Sequence, residues 1–60
     1  MNEETYKDAK LLAMGILNRI NAAGEQNGDR NAMSYFIYDA WLMCDKLKFT
    51  IETLRIQLNK

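Results

Sequence analysis

The sequence predicts an all-α fold: an antiparallel two-helix hairpin that assembles into a homo-oligomeric helical bundle, a four-helix dimer or a larger one. Three observations predict it. Apolar residues recur at helical spacing from Tyr6 to Ala23, and an unbroken heptad seam runs from Met33 to Leu58. A cluster of turn formers separates the two segments. The seam is Met33, Ile37, Ala40, Cys44, Leu47, Ile51, Leu54 and Leu58, at alternating steps of four and three.

Helix 1 is expected over about residues 3–23. Asn2 offers a side-chain oxygen as N-cap, and Glu3 and Glu4 place negative charge in the first turn, where the helix dipole favours it. Tyr6, Ala9, Ala13, Ile16, Ile20 and Ala23 form its apolar stripe, widened by Leu12 and Leu17. Gly24 follows where a left-handed C-cap residue is expected. Leu11, Met14, Gly15 and Ala22 lie on the back. Glycine inside a helix costs about 1 kcal/mol against alanine, a cost that a close contact with another helix would explain.

Residues 24–31 read as the loop, with Asn27-Gly28 as its strongest turn dipeptide. Asp29 or Asn31 is placed to cap helix 2, which is expected over about residues 32–59 and meets no proline or glycine. A second apolar stripe, Tyr35, Leu42, Phe49 and Ile56, recurs every seven residues on the far side of this helix, roughly 180° from the seam. Asp45 and Glu52 border it on one side, Lys46 and Thr53 on the other, the rimmed pattern of an interaction face. Which stripe packs on helix 1 is left open by the sequence; either choice leaves the other for an oligomer or partner contact.

The helices also differ in length, about 31 Å against about 42 Å at 1.5 Å per residue. Roughly two turns of helix 2 are therefore expected to overhang, with Leu54, Ile56 and Leu58 uncovered, each worth about 1.5–3 kcal/mol when fully buried. Opening of the hairpin at Asn27-Gly28 into one long shared helix is the less favoured alternative, because helix propensity opposes it.

Composition points the same way. Sixty residues make one domain, and a chain of that size removes only about 60% of its unfolded surface from water. Cys44 is the single cysteine and there is no histidine, so disulfides and a zinc or iron–sulfur site are not expected to supplement the core. Association is. The chain is 48% hydrophobic and 27% charged, the composition of a folded protein. Its longest apolar run, Ala40–Cys44, falls far short of the roughly 20 residues a bilayer span needs. The acidic start and the lone thiol point to the cytoplasm. Eight basic residues balance eight acidic ones, leaving no global field to attract nucleic acid or an anionic membrane.

No catalytic constellation emerges. Without histidine there is no imidazole base, and Cys44, sitting on the seam, reads as a buried inert thiol. Glu4 and Asp8 share a face at i,i+4, which solvated carboxylates near a helix start explain. No phosphate-binding loop or metal motif is present, so the reading is a non-enzyme without cofactor. The densest cluster opens helix 2, where Tyr35, Phe36, Tyr38 and Trp41 gather four of the six aromatic residues. With Arg30 and Lys48 these aromatics form a candidate patch for a ligand or partner (Arg30, Tyr35, Tyr38, Trp41, Lys48), against plain interface packing.

The function expected is therefore that of a small regulatory or adaptor protein acting by protein–protein interaction as an oligomeric bundle; inhibitors of phage or mobile-element type are one form of it. One alternative is sequestration of a small anionic or nucleotide-like ligand at a subunit interface. The other is RNA or DNA binding by a dimeric bundle, which resembles small RNA-binding helical hairpins in architecture alone. Its scattered cations, interrupted by Asp39, Asp45 and Glu52, speak against it.

Overall fold

The computed structural model describes residues 3–59, which form two antiparallel α-helices, α1 over Glu3–Gly24 and α2 over Arg30–Leu58. The Asn2 cap lies outside the described residues. Glu3 and Glu4 occupy the first turn of α1. At its other end Gln26 folds back, its Nε2 donating to the Ala22 carbonyl at 2.8 Å, and the Glu25 amide reaches the Asn21 carbonyl at 3.2 Å.

The chain then reverses in four residues. Asn27 (φ 54°) and Gly28 (φ 84°) are both left-handed, and the Asp29 amide donates to the Gln26 carbonyl at 3.0 Å. Two consecutive positive φ values closed by this bond are the pattern of a type I′ turn. The left-handed pair thus falls on Asn27-Gly28 and not on Gly24, which stays helical. Asparagine tolerates this region and glycine enters it without steric cost, so the reversal settles there. Asp29 is the N-cap of α2, its carboxylate accepting from the Ala32 amide at 3.2 Å, and the loop shortens to residues 25–29. At the far end the Asn59 amide closes the helix on the Arg55 and Ile56 carbonyls.

Two rows of residues on each helix face the other. The first row is Ala9, Ile16 and Ala23 on α1 with Met33, Ala40, Leu47 and Leu54 on α2. The second is Thr5, Leu12, Arg19 and Gln26 with Phe36, Met43, Thr50 and Gln57. Half of the expected seam is therefore inward and half is not: Ile37, Cys44, Ile51 and Leu58 are exposed. On α1 the same correction applies, since Tyr6, Ala13 and Ile20 of the expected stripe are exposed. Cys44 is an exposed free thiol and not a buried one. Both helices are turned about 50° from the orientation that apolar spacing alone gives, half the 100° step between successive residues.

Local packing accounts for that turn. Met43 of α2 lies directly over Gly15 of α1, its terminal methyl filling the space a Cβ would take. Arg19 Nε meets Asp39 Oδ2 at 2.9 Å across the helices, while its Nη1 reaches the Gly15 carbonyl at 3.4 Å. The Thr50 hydroxyl, on the second row, donates to the Lys46 carbonyl at 3.0 Å, so this polar residue faces α1 without an orphaned donor.

These pairings also set the axial register. Arg19 level with Asp39 and Gly15 level with Met43 carry Glu3 to about the level of Arg55. Only the last turn of α2 overhangs, one fewer than expected, and Leu54 is half-buried. Among the described residues, no helix is long and apolar enough to cross a membrane.

The Gly15–Met43 contact gives a stability test. Gly15→Ala gains up to about 1 kcal/mol of helix propensity but displaces a flexible methyl, for a net change near zero. Gly15→Leu wedges the helices apart and is expected to cost about 1–3 kcal/mol, read from urea unfolding followed by circular dichroism. Equal stability of the leucine variant and the parent would show that Gly15 holds no close contact.

Candidate protein-interaction site

The outer stripe of α2 emerges intact. Tyr35, Leu42, Phe49 and Ile56 are all exposed, Phe49 most of all at 76%. Seven-residue steps put them on one line about 32 Å long. A shallow depression beside Phe49 is lined by Asp45, Lys48 and Glu52. The rim is ordered by local bonds. Thr53 donates its hydroxyl to the Phe49 carbonyl at 3.2 Å, and Arg55 Nη2 donates to Glu52 Oε1 at 2.5 Å. That hydrogen bond, with the guanidinium charge, holds the Glu52 carboxyl below its ordinary range and raises Arg55.

A second apolar face was not read from the sequence as a separate surface. Tyr6, Ala13 and Ile20 on α1 each directly follow a second-row residue, as do Ile37, Cys44, Ile51 and Leu58 on α2. One residue turns a helix by about 100°, which carries each of them across the helix interface to its far flank. Because the two helices share one hand and run in opposite directions, that step leads to the same flank for both. It is the flank opposite the one bridged by Arg19 and Asp39. Leu17 and Trp41, both exposed, border this face. The signal was present in the sequence: these residues are half of the expected seam, whose partner the sequence left open.

The candidate patch of Arg30, Tyr35, Tyr38, Trp41 and Lys48 is not brought together. Tyr35 sets its ring edge-on to Phe36, with centroids 6.0 Å apart and planes at 88°. Tyr38 pairs with Trp41 at 5.8 Å and 34°. Tyr35 and Trp41 diverge by about 120° around the helix. Arg30 and Lys48 share an edge with Trp41 but stand roughly 16 Å and 10 Å from it along the axis.

The Arg19–Asp39 pair was also missed, since neither residue stands in an apolar pattern. Spacing alone could have flagged Arg19, which lies seven residues after Leu12 in the inward second row. With Asn18, Ala22 and Phe36 the pair lines a hollow on its flank.

Fold and surfaces together define a small helical hairpin with more apolar surface than its own packing covers. No family model matches the chain, and neither a curated protein nor a solved structure matches it.

The Arg19 and Asp39 side chains are 39% and 44% exposed, which screens the attraction between them. Arg19→Ala is accordingly expected to cost no more than about 1 kcal/mol, with a smaller difference in high salt. Denaturation at two ionic strengths measures this; a larger loss that ignores salt would show that Arg19 acts by packing.

Proposed function

We propose that this chain acts without catalysis, as a small regulatory or adaptor protein that associates with itself and with another protein through apolar surface. The observation that carries the proposal is the accessible area of 4939 Å². A compact monomer of this mass exposes about 4,000 Å², so roughly 900 Å² is in surplus. Much of the exposed surface belongs to large apolar side chains, including Leu11, Tyr35, Trp41, Phe49 and Ile51. Surface of this kind is the property of a protein that works in company.

The outer stripe Tyr35, Leu42, Phe49 and Ile56 is the surface offered to a partner helix, which would lie along it with anchors at successive turns. An exposed, unpaired Cys44 fits a reducing compartment. The ligand-sequestration reading is weaker, because the aromatics that would stack on a ring diverge. Nucleic-acid binding is weaker still: the net charge is zero, and Arg19 and Arg55 are each engaged by a carboxylate.

Light scattering tests the first half of the proposal, with an expected molar mass at least twice the 7.0 kDa of one chain. A well-ordered monomer at millimolar concentration would overturn it. For the second half, a partner captured by the parent should be lost on Phe49→Glu while the molar mass stays unchanged. Capture that survives this substitution would remove the outer stripe as the partner surface.

A further inference from the structure

We infer that a second copy of this chain covers the face formed by Tyr6, Ile20, Ile37 and Ile51, stacked head to tail about a two-fold axis that lies between the two copies, perpendicular to the helices, and runs past both Ala13 and Cys44. The inference rests on the proposed self-association and adds which surface is used and in what orientation.

The direction of the apolar arc is the first argument. In a four-helix bundle each helix touches two neighbours roughly 90° apart, so its apolar arc points to the bundle axis, about 45° from either neighbour. On both helices the first inward row and the exposed row beside it are apolar throughout, and together they centre about 50° from the direction of the other helix; the outer stripe of α2 is as apolar but has no such counterpart on α1. The second inward row, which faces away from such an axis, is the one that holds Thr5, Arg19, Gln26, Thr50 and Gln57. Each helix is therefore patterned for a second neighbour on the flank away from the Arg19–Asp39 pair.

Size and width agree. This face is two helices wide, whereas α1 adds only Leu11 to the outer stripe's side of the hairpin, among Glu4, Asn18 and Glu25. The hairpin measures 47 by 15 Å, a projected area of roughly 700 Å², against the about 800 Å² per partner of a standard interface. Covering it also removes most of the roughly 900 Å² surplus.

The spacing of the exposed row supplies the symmetry. Ile37 and Ile51 stand seven residues either side of Cys44, and Tyr6 and Ile20 seven either side of Ala13. The register that pairs Gly15 with Met43 puts Ala13 and Cys44 at about one level. A two-fold axis there, perpendicular to the helices, lays Ile37 on Ile51 of the partner subunit and Tyr6 on Ile20 of the partner subunit, with the small Ala13 and Cys44 at the crossing. Stacking with both loops at one end would match the rows equally well but would leave the overhanging turn of α2 and its Leu58 uncovered. Head-to-tail stacking sets α2 along α2 over its full length and covers that turn.

The test compares two glutamates placed two residues apart. Ile51→Glu should halve the molar mass measured by light scattering, while Phe49→Glu should leave it at the parental value, with helical content followed by circular dichroism. Dissociation by Phe49→Glu, alone or together with Ile51→Glu, would overturn the assignment of the face yet leave self-association standing. A monomeric parent would overturn both.

Should Ile51→Glu unfold the chain, cross-linking of the parent decides. Mild oxidation should join Cys44 to Cys44 of the partner subunit as a disulfide, which requires Cα atoms within about 7 Å. In the loops-together arrangement the two Cys44 residues lie across the bundle diagonal, on α2 axes roughly 13 Å apart for neighbouring axes 8–10 Å apart, with Cα atoms beyond that limit. A dimer that does not cross-link would overturn the head-to-tail axis.

Discussion

The rest of this structure depends on one constraint: two helices joined by a turn have only one interface between them, and that interface is too small to make a core. Ala23 and Ala40 are the only buried apolar residues among those described, and alanine has little side chain to bury. Hydrophobic stabilisation scales with apolar area removed from solvent, so half-buried rows return only part of what Ile16, Leu47 and Leu54 could contribute. Conformational entropy, by contrast, opposes the ordering of every residue in both helices. The self-association proposed above would supply a further large favourable term in a chain with a single cysteine and no histidine.

What the hairpin interface lacks in apolar burial it makes up in definition. Met43 seated over Gly15 and Arg19 bonded to Asp39 fix both the axial register and the rotation of the helices. Either sliding or turning one helix by a residue breaks both contacts. The Asn27-Gly28 turn and the Asp29 cap start α2 in the matching position. Local chemistry at the turn and side-chain fit two heptads away thus agree on one arrangement, the consistency expected of a sequence that specifies a single fold.

Much of this was legible in the sequence, and the part that was not has a definite physical cause. Helix identity, the turn at Asn27-Gly28, the Asp29 cap and the exposed line from Tyr35 to Ile56 follow from local rules of spacing and capping. Rotation about the helix axis does not. Starting from Met33, both 33-36-40-43 and 33-37-40-44 are valid heptad rows, and the second is the more apolar. Periodicity therefore chose Ile37 and Cys44 over Phe36 and Met43. What decided otherwise was a glycine making room for a methionine and a cation in reach of a carboxylate, neither of which an apolar pattern records. For the candidate patch, nearness in sequence gathered Tyr35 and Trp41, while the helical turn between them set them on different edges.

The same difference between pattern and packing supports the second neighbour inferred above. Where a helix packs against one partner only, its most apolar line faces that partner. Where it packs against two, that line faces the space between them, and the pattern departs from the structure of the lone hairpin by the angle seen here. On this view the row Ile37, Cys44, Ile51 and Leu58 is a core row that the isolated hairpin leaves uncovered. In the inferred dimer the outer stripe then occurs twice, on the two adjacent corners formed by the α2 helices, about 100° apart and running in opposite directions. Such an assembly would join two partner molecules, or two sites of a large one, and would gain affinity from effective concentration without any additional contact.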